Sequence, residues 1–156
     1  MLIEARRAAR NERAQRARGG IEPPGDVYTV MQVAYPASFL LMLGEQWLRG
    51  GAAPRTFPLG LAVFAAAKLL KWWAIRSLGP CWTFRVIVVP GSSRVDAGPY
   101  RFLRHPNYVA VAGEFAGAAL MTGALVSGPV LTIAFILLMM RRTRVETRAL
   151  DAILRP

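Results

Sequence analysis

The chain of 156 residues is long enough for one domain, is 54% hydrophobic and has 20 lysine and arginine residues against 9 acidic residues, a formal net charge of +11. Such a charge suggests nucleic acid or an anionic membrane as a partner, and the long uncharged runs favour the membrane over nucleic acid. With a single histidine and a single cysteine, the chain can form no internal disulfide, and we expect no metal site.

The first 26 residues are rich in arginine and alanine and end in a glycine- and proline-rich break at residues 19–25. Two alternatives fit this composition: a basic tail in the cytoplasm, or an interfacial helix that rests on anionic lipid headgroups. We treat residues 1–26 as one unit, residues 27–80 as a unit with two membrane spans, and residues 81–156 as a unit that carries the polar motifs.

Four apolar segments follow the break, at residues 27–47, 57–78, 108–126 and 130–140. A helix needs roughly 20 apolar residues to cross a bilayer. The first two segments have that length, the third nearly has it, and the fourth is short. Basic residues are frequent before the first segment, between the second and third, and after the fourth. The sequence therefore predicts an all-α integral membrane protein of the bacterial inner membrane, with about four transmembrane helices and with both termini and the central loop in the cytoplasm.

The third and fourth segments predict a C-terminal helical hairpin with its turn near Ser127. In such a hairpin, residues whose numbers sum to about 255 lie level with each other. The fourth helix is expected to continue past residue 140 as an amphipathic C-terminal helix, because residues 141–154 contain good helix formers. The hairpin therefore predicts that Arg142 and Glu146 meet His105 and Tyr108 of the cytoplasmic loop.

Each of these features also has an ordinary explanation when taken alone. Arg142 and Glu146 are four residues apart and would stabilise a helix by about 0.2–0.5 kcal/mol. An Arg-His-Pro sequence often marks the start of a helix. Glu114, an ionisable residue within the third segment, indicates a functional site, or else pairs with Arg141 or Arg142. It is the convergence of the polar residues that favours a site.

Three motifs in this order resemble the isoprenylcysteine carboxyl methyltransferase family, integral membrane enzymes that use S-adenosylmethionine. The motifs are Gly98-Pro99-Tyr100, then Arg104-His105-Pro106-Asn107-Tyr108, and then Arg142 followed by Glu146 and Leu150. The family pattern has a second glutamate after the first, and this chain has Thr147 at that position. The resemblance covers residues 92–150.

The resemblance implies a cytoplasmic site for S-adenosylmethionine. We take Arg142 and His105 as the candidate catalytic residues. The resemblance also implies that Arg142 faces the methyl acceptor, and we include Glu114 with Arg142 as a candidate substrate-binding residue. The residues expected to enclose the cofactor are Ser92, Ser93, Arg94, Val95, Tyr100, His105, Pro106, Asn107, Tyr108 and Glu146.

The predicted reaction is methyl transfer to an oxygen of a lipidic small molecule at the cytoplasmic face of the membrane. A carboxylate acceptor needs only a cation such as Arg142 to orient it, whereas a phenol or enol needs a base, for which His105 and Glu114 are candidates. Two alternatives stay open: a membrane reductase that uses a nicotinamide cofactor, and a non-enzymatic protein that binds anionic lipid.

Overall fold

The computed structural model of the protein describes residues 2–92 and 95–154. Across these residues the regular structure is helical, and no strand is present apart from a single antiparallel bridge between Ile21 and Val88. The predicted all-α class is therefore confirmed. The helices are α1 (Leu2–Ala17), α2 (Tyr28–Leu48), α3 (Phe57–Leu78), α4 (Pro106–Thr122) and α5 (Ser127–Leu154).

The ends of the helices follow from local chemistry. Helix α4 begins with Pro106 in its first turn, where a missing N–H costs nothing, and ends at Gly123 in the left-handed conformation. Helix α5 then runs unbroken for 28 residues. The prediction that the fourth helix continues past residue 140 is confirmed, and the hairpin of α4 and α5 has its turn just before Ser127.

Helices α3 and α4 pack closely because glycines lie at their contact. A Cβ atom built on Gly117 would lie 2.7 Å from the backbone nitrogen of Phe64, and one on Gly60 would lie 2.7 Å from the carbonyl oxygen of Gly117. A core of apolar side chains from α2, α4 and α5 surrounds the buried Phe115, whose ring stacks on Phe135 with centroids 4.5 Å apart.

Helix α1 is docked onto the turn that follows α3. The side-chain amide of Asn11 donates to the carbonyl oxygens of Gly79 and Trp82 at 3.0 and 2.8 Å, and that of Gln15 donates to Pro80 at 2.9 Å. Ala8 is buried on the same face. Helix α1 is therefore held against the turn by hydrogen bonds from the polar side chains of its buried face. Its contact with lipid headgroups stays a prediction.

Helices α2, α3 and α4 begin and end close to the first three predicted apolar segments, and α5 begins near the fourth and continues past its end. Judged by length and composition, one segment of the described chain, Phe57–Cys81, is long and apolar enough to cross a membrane. Large apolar side chains also lie exposed on the other helices, among them Leu40 and Trp47 on α2 and Ile133 and Leu137 on α5. The arrangement with four spans stays a prediction.

Candidate functional site

A cavity of about 280 Å³ lies between α2, α3, the start of α4, α5 and the segment at residues 82–88. This volume is close to the lower end of the ~300–1,000 Å³ that is usual for small-molecule sites. Most of the wall is apolar and includes Met31, Val111, Phe135 and Met139. The polar residues of the wall include Tyr35, Lys71, Tyr100, His105, Asn107, Tyr108, Arg142 and Glu146.

Tyr108 connects the two predicted polar clusters. Its hydroxyl donates to Oε2 of Glu146 at 2.8 Å and accepts a hydrogen bond from Nε of Arg142 at 3.2 Å. Nδ1 of His105 lies 3.9 Å from the same oxygen of Glu146, and the His105 ring stacks on Tyr108 with centroids 5.4 Å apart. The structure therefore brings His105, Tyr108, Arg142 and Glu146 together, as the pairing of residues across the hairpin predicts.

Asn107 adds a polar atom that lacks a partner. Its side-chain oxygen Oδ1 is buried and has no hydrogen-bond partner within the described part of the chain. A buried amide oxygen without a donor is costly, and in a cavity wall it is suited to accept a hydrogen bond from a ligand. Together with the Glu146 carboxylate, it makes this end of the cavity rich in acceptors.

Arg142 is buried and holds neighbouring segments in place. One terminal nitrogen, Nη2, donates to the carbonyl oxygen of Phe84, and the other, Nη1, lies 3.6 Å from Oδ1 of Asp26. The second oxygen of Asp26 accepts a hydrogen bond of 2.9 Å from the backbone nitrogen of Val86. Sequence reasoning missed Asp26, and the available signal was an acidic residue directly before the first apolar segment.

The segment at residues 82–88, which closes one side of the cavity, has further ties to the N-terminal region. Nη1 of Arg85 donates to Glu22 at 2.7 Å, and Val88 forms its backbone bridge with Ile21. The rings of Tyr28 and Phe84 stack at 5.9 Å. The region before α2 therefore supports the segment that closes the cavity.

Of the other residues predicted to enclose the cofactor, some line the cavity and others do not. Tyr100 lines the cavity, and its burial raises the pKa of the phenol, so this residue is neutral near pH 7. The hydroxyl of Ser92 donates to the carbonyl oxygen of Val89 at 2.7 Å, which closes a local turn. Within the described residues, Ser92, Val95 and Pro106 do not line the cavity. Ser93 and Arg94 lie outside the described residues.

Glu114 pairs with different residues from those expected. Its fully buried carboxylate accepts a hydrogen bond from the hydroxyl of Tyr35 and lies 2.8 Å from Nζ of Lys68 and 3.5 Å from Nζ of Lys71. The expectation of a pair with Arg141 or Arg142 is wrong, because Glu114 faces α2 and α3 rather than α5. Tyr35 and Lys71 line the cavity, so Glu114 lies directly behind the cavity wall.

Comparison with known proteins matches residues 59–152 to the model of the isoprenylcysteine carboxyl methyltransferase (ICMT) family. The chain belongs to this family. The match begins within α3, so it covers more of the chain than the motifs that first suggested it.

Two bacterial relatives share most of the chain. The uncharacterized protein YpbQ of Bacillus subtilis is 32% identical over 145 residues, which cover 92% of this chain and 86% of YpbQ. An uncharacterized protein of Haemophilus influenzae is 24% identical over 143 residues, which cover 91% of this chain and 83% of the relative. No solved structure matches the chain significantly.

Membership of the ICMT family identifies the general chemistry. Enzymes of this family are membrane-integral, use S-adenosylmethionine and act on membrane-associated substrates. The polar groups of the cavity in this ICMT-family chain fit such a cofactor. The Glu146 carboxylate and the unpaired Oδ1 of Asn107 can accept hydrogen bonds from its hydroxyl and amino groups. The rings of Tyr100 and Tyr108 offer faces for an adenine or a cation.

Proposed function

We propose that the protein transfers a methyl group from S-adenosylmethionine to an oxygen of a lipidic acceptor at the cytoplasmic face of the membrane. The observation that carries this proposal is the convergence of His105, Asn107, Tyr108 and Glu146 at one end of a cavity whose wall is mostly apolar. These residues lie at the start of α4 and near the end of α5, and they belong to the motifs that resemble those of the ICMT family.

The polar end of the cavity would hold the cofactor. Glu146 and Asn107 would accept hydrogen bonds from its hydroxyl or amino groups, and Tyr100, His105 and Tyr108 would flank its flat and cationic parts. When bound, S-adenosylmethionine supplies a methyl group on a positively charged sulfur: an electron pair of the acceptor oxygen forms the new C–O bond as the C–S electron pair returns to sulfur. The protein contributes by aligning the acceptor with the cofactor, because this alignment supplies most of the rate in an in-line displacement.

The acceptor would bind toward the apolar part of the cavity. Arg142 borders this part, and its guanidinium has more N–H donors than Tyr108, Phe84 and Asp26 use, so it can also orient the acceptor oxygen. A carboxylate acceptor needs no base. For a phenol or enol we propose His105 as the base, since Glu114 lies behind the wall and is already bonded to Tyr35.

We propose that α2, α3, α4 and the first half of α5 span the membrane. Their exposed apolar side chains fit a lipid environment, and the arginines of α1 and of the last turns of α5 fit the cytoplasmic side of a bacterial inner membrane. The lipid tail of the acceptor would then enter sideways from the bilayer between the helices, with its oxygen at the depth of the cavity.

Calorimetric binding of S-adenosylhomocysteine to the detergent-purified protein tests this proposal. We expect wild type to bind with micromolar affinity and Glu146→Ala and His105→Ala to bind at least about tenfold more weakly, a loss of about 1.4 kcal/mol. Arg148→Ala, an exposed position on the same helix as Glu146, is the matched control and should bind like wild type.

Two outcomes would contradict the proposal. Absence of binding by folded wild type would remove the methyltransferase function, and equal binding by all variants would place the cofactor elsewhere. The lipidic nature of the acceptor is tested separately with a methyl acceptor and its tail-less analogue, since equal methylation of both would exclude a site built for a lipid.

A further inference from the structure

The cavity has a second polar group, away from the cofactor residues. Tyr35 of α2 and Lys71 of α3 line the wall, and Glu114 of α4 holds both from behind. Glu114 follows Tyr108 by six residues on the same helix, which is a rise of about 9 Å. The cavity is therefore polar at two places separated by about two helical turns, with apolar side chains such as Val111 between them.

Burying the Glu114 carboxylate costs free energy because the charge is removed from water. Such a residue within a membrane helix, and the residues paired with it, are therefore candidates for a functional role. Two ammonium groups, those of Lys68 and Lys71, approach the single Glu114 carboxylate. The other acidic group beside Lys71 among the described residues is Glu4 of α1, whose carboxylate is 3.9 Å away and partly exposed. With Glu4 counted, two ammonium groups face two carboxylates, and Lys71 lies between the two carboxylates at 3.5 and 3.9 Å.

Among the described residues, three cationic side chains line the cavity, those of Lys71, Arg85 and Arg142, and Lys71 has the loosest contacts. Arg85 donates to Glu22 at 2.7 Å. Arg142 has the Phe84 carbonyl oxygen, the Tyr108 hydroxyl at 3.2 Å and Asp26 at 3.6 Å. The ammonium of Lys71 is 3.5 Å from Glu114, 3.9 Å from Glu4, and 5.3 Å from the centroid of the Tyr35 ring. A buried ammonium with contacts of this length retains the capacity to bind an anionic ligand.

We propose that Lys71 binds the ionised oxygen of the methyl acceptor and that Glu114 is the positioning residue that fixes Lys71 and Tyr35. The acceptor class that follows is an amphiphile with an acidic oxygen group, a carboxylate or an acidic phenol, whose apolar part lies against Val111 and Phe135. A neutral alcohol lacks the charge that Lys71 would pair with. This inference rests on the proposed methyl transfer for the identity of the ligand as an acceptor.

The test uses an ortho-nitrophenol with a long alkyl chain, because its ionised form is coloured and its pKa reports on nearby charge. The probe is titrated by absorbance with detergent-purified wild type, Lys71→Met and Lys68→Met. We expect wild type to lower the apparent pKa of the bound probe by about one unit relative to Lys71→Met, as an adjacent cation does. Lys68 contacts the same oxygen of Glu114 but is not a lining residue of the cavity in the described chain, so Lys68→Met should resemble wild type.

Binding of S-adenosylhomocysteine is measured on the same samples. If Lys71→Met changes the apparent pKa of the bound probe while wild type binds no S-adenosylhomocysteine, the anion site is supported and the methyltransferase function is contradicted. If wild type binds S-adenosylhomocysteine and the probe behaves identically with wild type and Lys71→Met, the role of Lys71 is overturned. Should Lys71→Met fail to fold, Lys71→Arg and Lys71→Gln make the comparison, because only the arginine keeps the charge and should keep the shift.

Discussion

The hydroxyl of Tyr108 donates a hydrogen bond of 2.8 Å to the carboxylate of Glu146. Glu146 is 38 positions later in the chain, and the two residues lie on different helices of the hairpin, at the end away from its turn. The same hydroxyl accepts from Arg142, so a neutral phenol connects a cation and an anion on neighbouring turns of α5. This arrangement fixes both charged groups in the cavity wall before any ligand arrives. A preorganised wall of this kind lowers the cost of ordering side chains on binding.

A double-mutant cycle on Tyr108→Phe and Glu146→Gln tests the link across the hairpin. Hydrogen bonds to charged groups contribute about 1.5–3 kcal/mol, so we expect a coupling of about 1–2 kcal/mol in the free energy of unfolding. Denaturant unfolding of the four proteins in detergent measures it. Tyr100→Phe is the control, because the Tyr100 hydroxyl has no hydrogen bond among the described residues. Additive losses would show that the two residues are not bonded.

Asp26→Ala tests the anchoring of Arg142. The side chain of Asp26 is only 4% exposed, and its removal leaves a buried guanidinium without its ion partner and the Val86 N–H without an acceptor. Breaking a buried pair costs about 3–5 kcal/mol, so we expect a loss of about 3 kcal/mol in unfolding free energy and faster proteolysis at residues 82–88. Asp96→Ala, at an exposed position, should change neither. Unchanged proteolysis in Asp26→Ala would show that Arg142 does not depend on Asp26.

Much of the helical framework was predictable because it rests on local patterns. Apolar segments locate α2, α3 and α4, and helix-forming residues after position 140 extend α5. Once the turn before Ser127 is known, antiparallel geometry alone pairs Tyr108 with Glu146. That pairing needs no knowledge of side-chain packing, which is why the sequence sufficed.

The rest of the site depends on contacts that no periodic pattern encodes. The segment at residues 82–88 is irregular, and the hydrogen bonds of its backbone to Asp26 and Arg142 follow from how it folds over the helices. Glu114 was noticed, but its partners Tyr35 and Lys71 depend on the rotation of α2 and α3 about their axes. The attachment of helix α1 to the turn after α3 could not be predicted. Exposed arginines dominate its composition, and the buried residues that make the hydrogen bonds are polar.

A pair of alanine substitutions tests the close packing of α3 against α4. At Gly117 a new Cβ would lie 2.7 Å from the Phe64 nitrogen and 2.9 Å from the Gly60 oxygen, both backbone atoms that cannot move aside cheaply. We expect Gly117→Ala to destabilise the protein by about 1–3 kcal/mol. At Gly44, within α2, a Cβ meets nothing within 4 Å. Gly44→Ala should therefore be neutral or stabilising by up to about 1 kcal/mol. Equal unfolding midpoints for the two variants would contradict the packing.

Acid should weaken the attachment of the N-terminal region through Glu22. Partial burial would by itself raise the pKa of this carboxyl, but hydrogen bonds from Arg85 and Arg16 outweigh it and hold the pKa below its ordinary value of 4.5. Because the folded state has the lower pKa, the stabilisation is fully present above the unfolded-state pKa near 4.5 and is lost as the pH falls through the folded-state value.

Thermal unfolding of wild type and Glu22→Gln, followed from about pH 7 down to about pH 3, measures this contribution. We expect Glu22→Gln to be less stable than wild type at neutral pH and to lose less stability on acidification, so that the two curves converge as the pH falls through the folded-state pKa of Glu22. Asp96→Asn removes an exposed carboxylate and should follow the wild-type curve throughout. A constant difference between wild type and Glu22→Gln across the whole range would mean that the ionised carboxylate adds nothing beyond what the amide supplies.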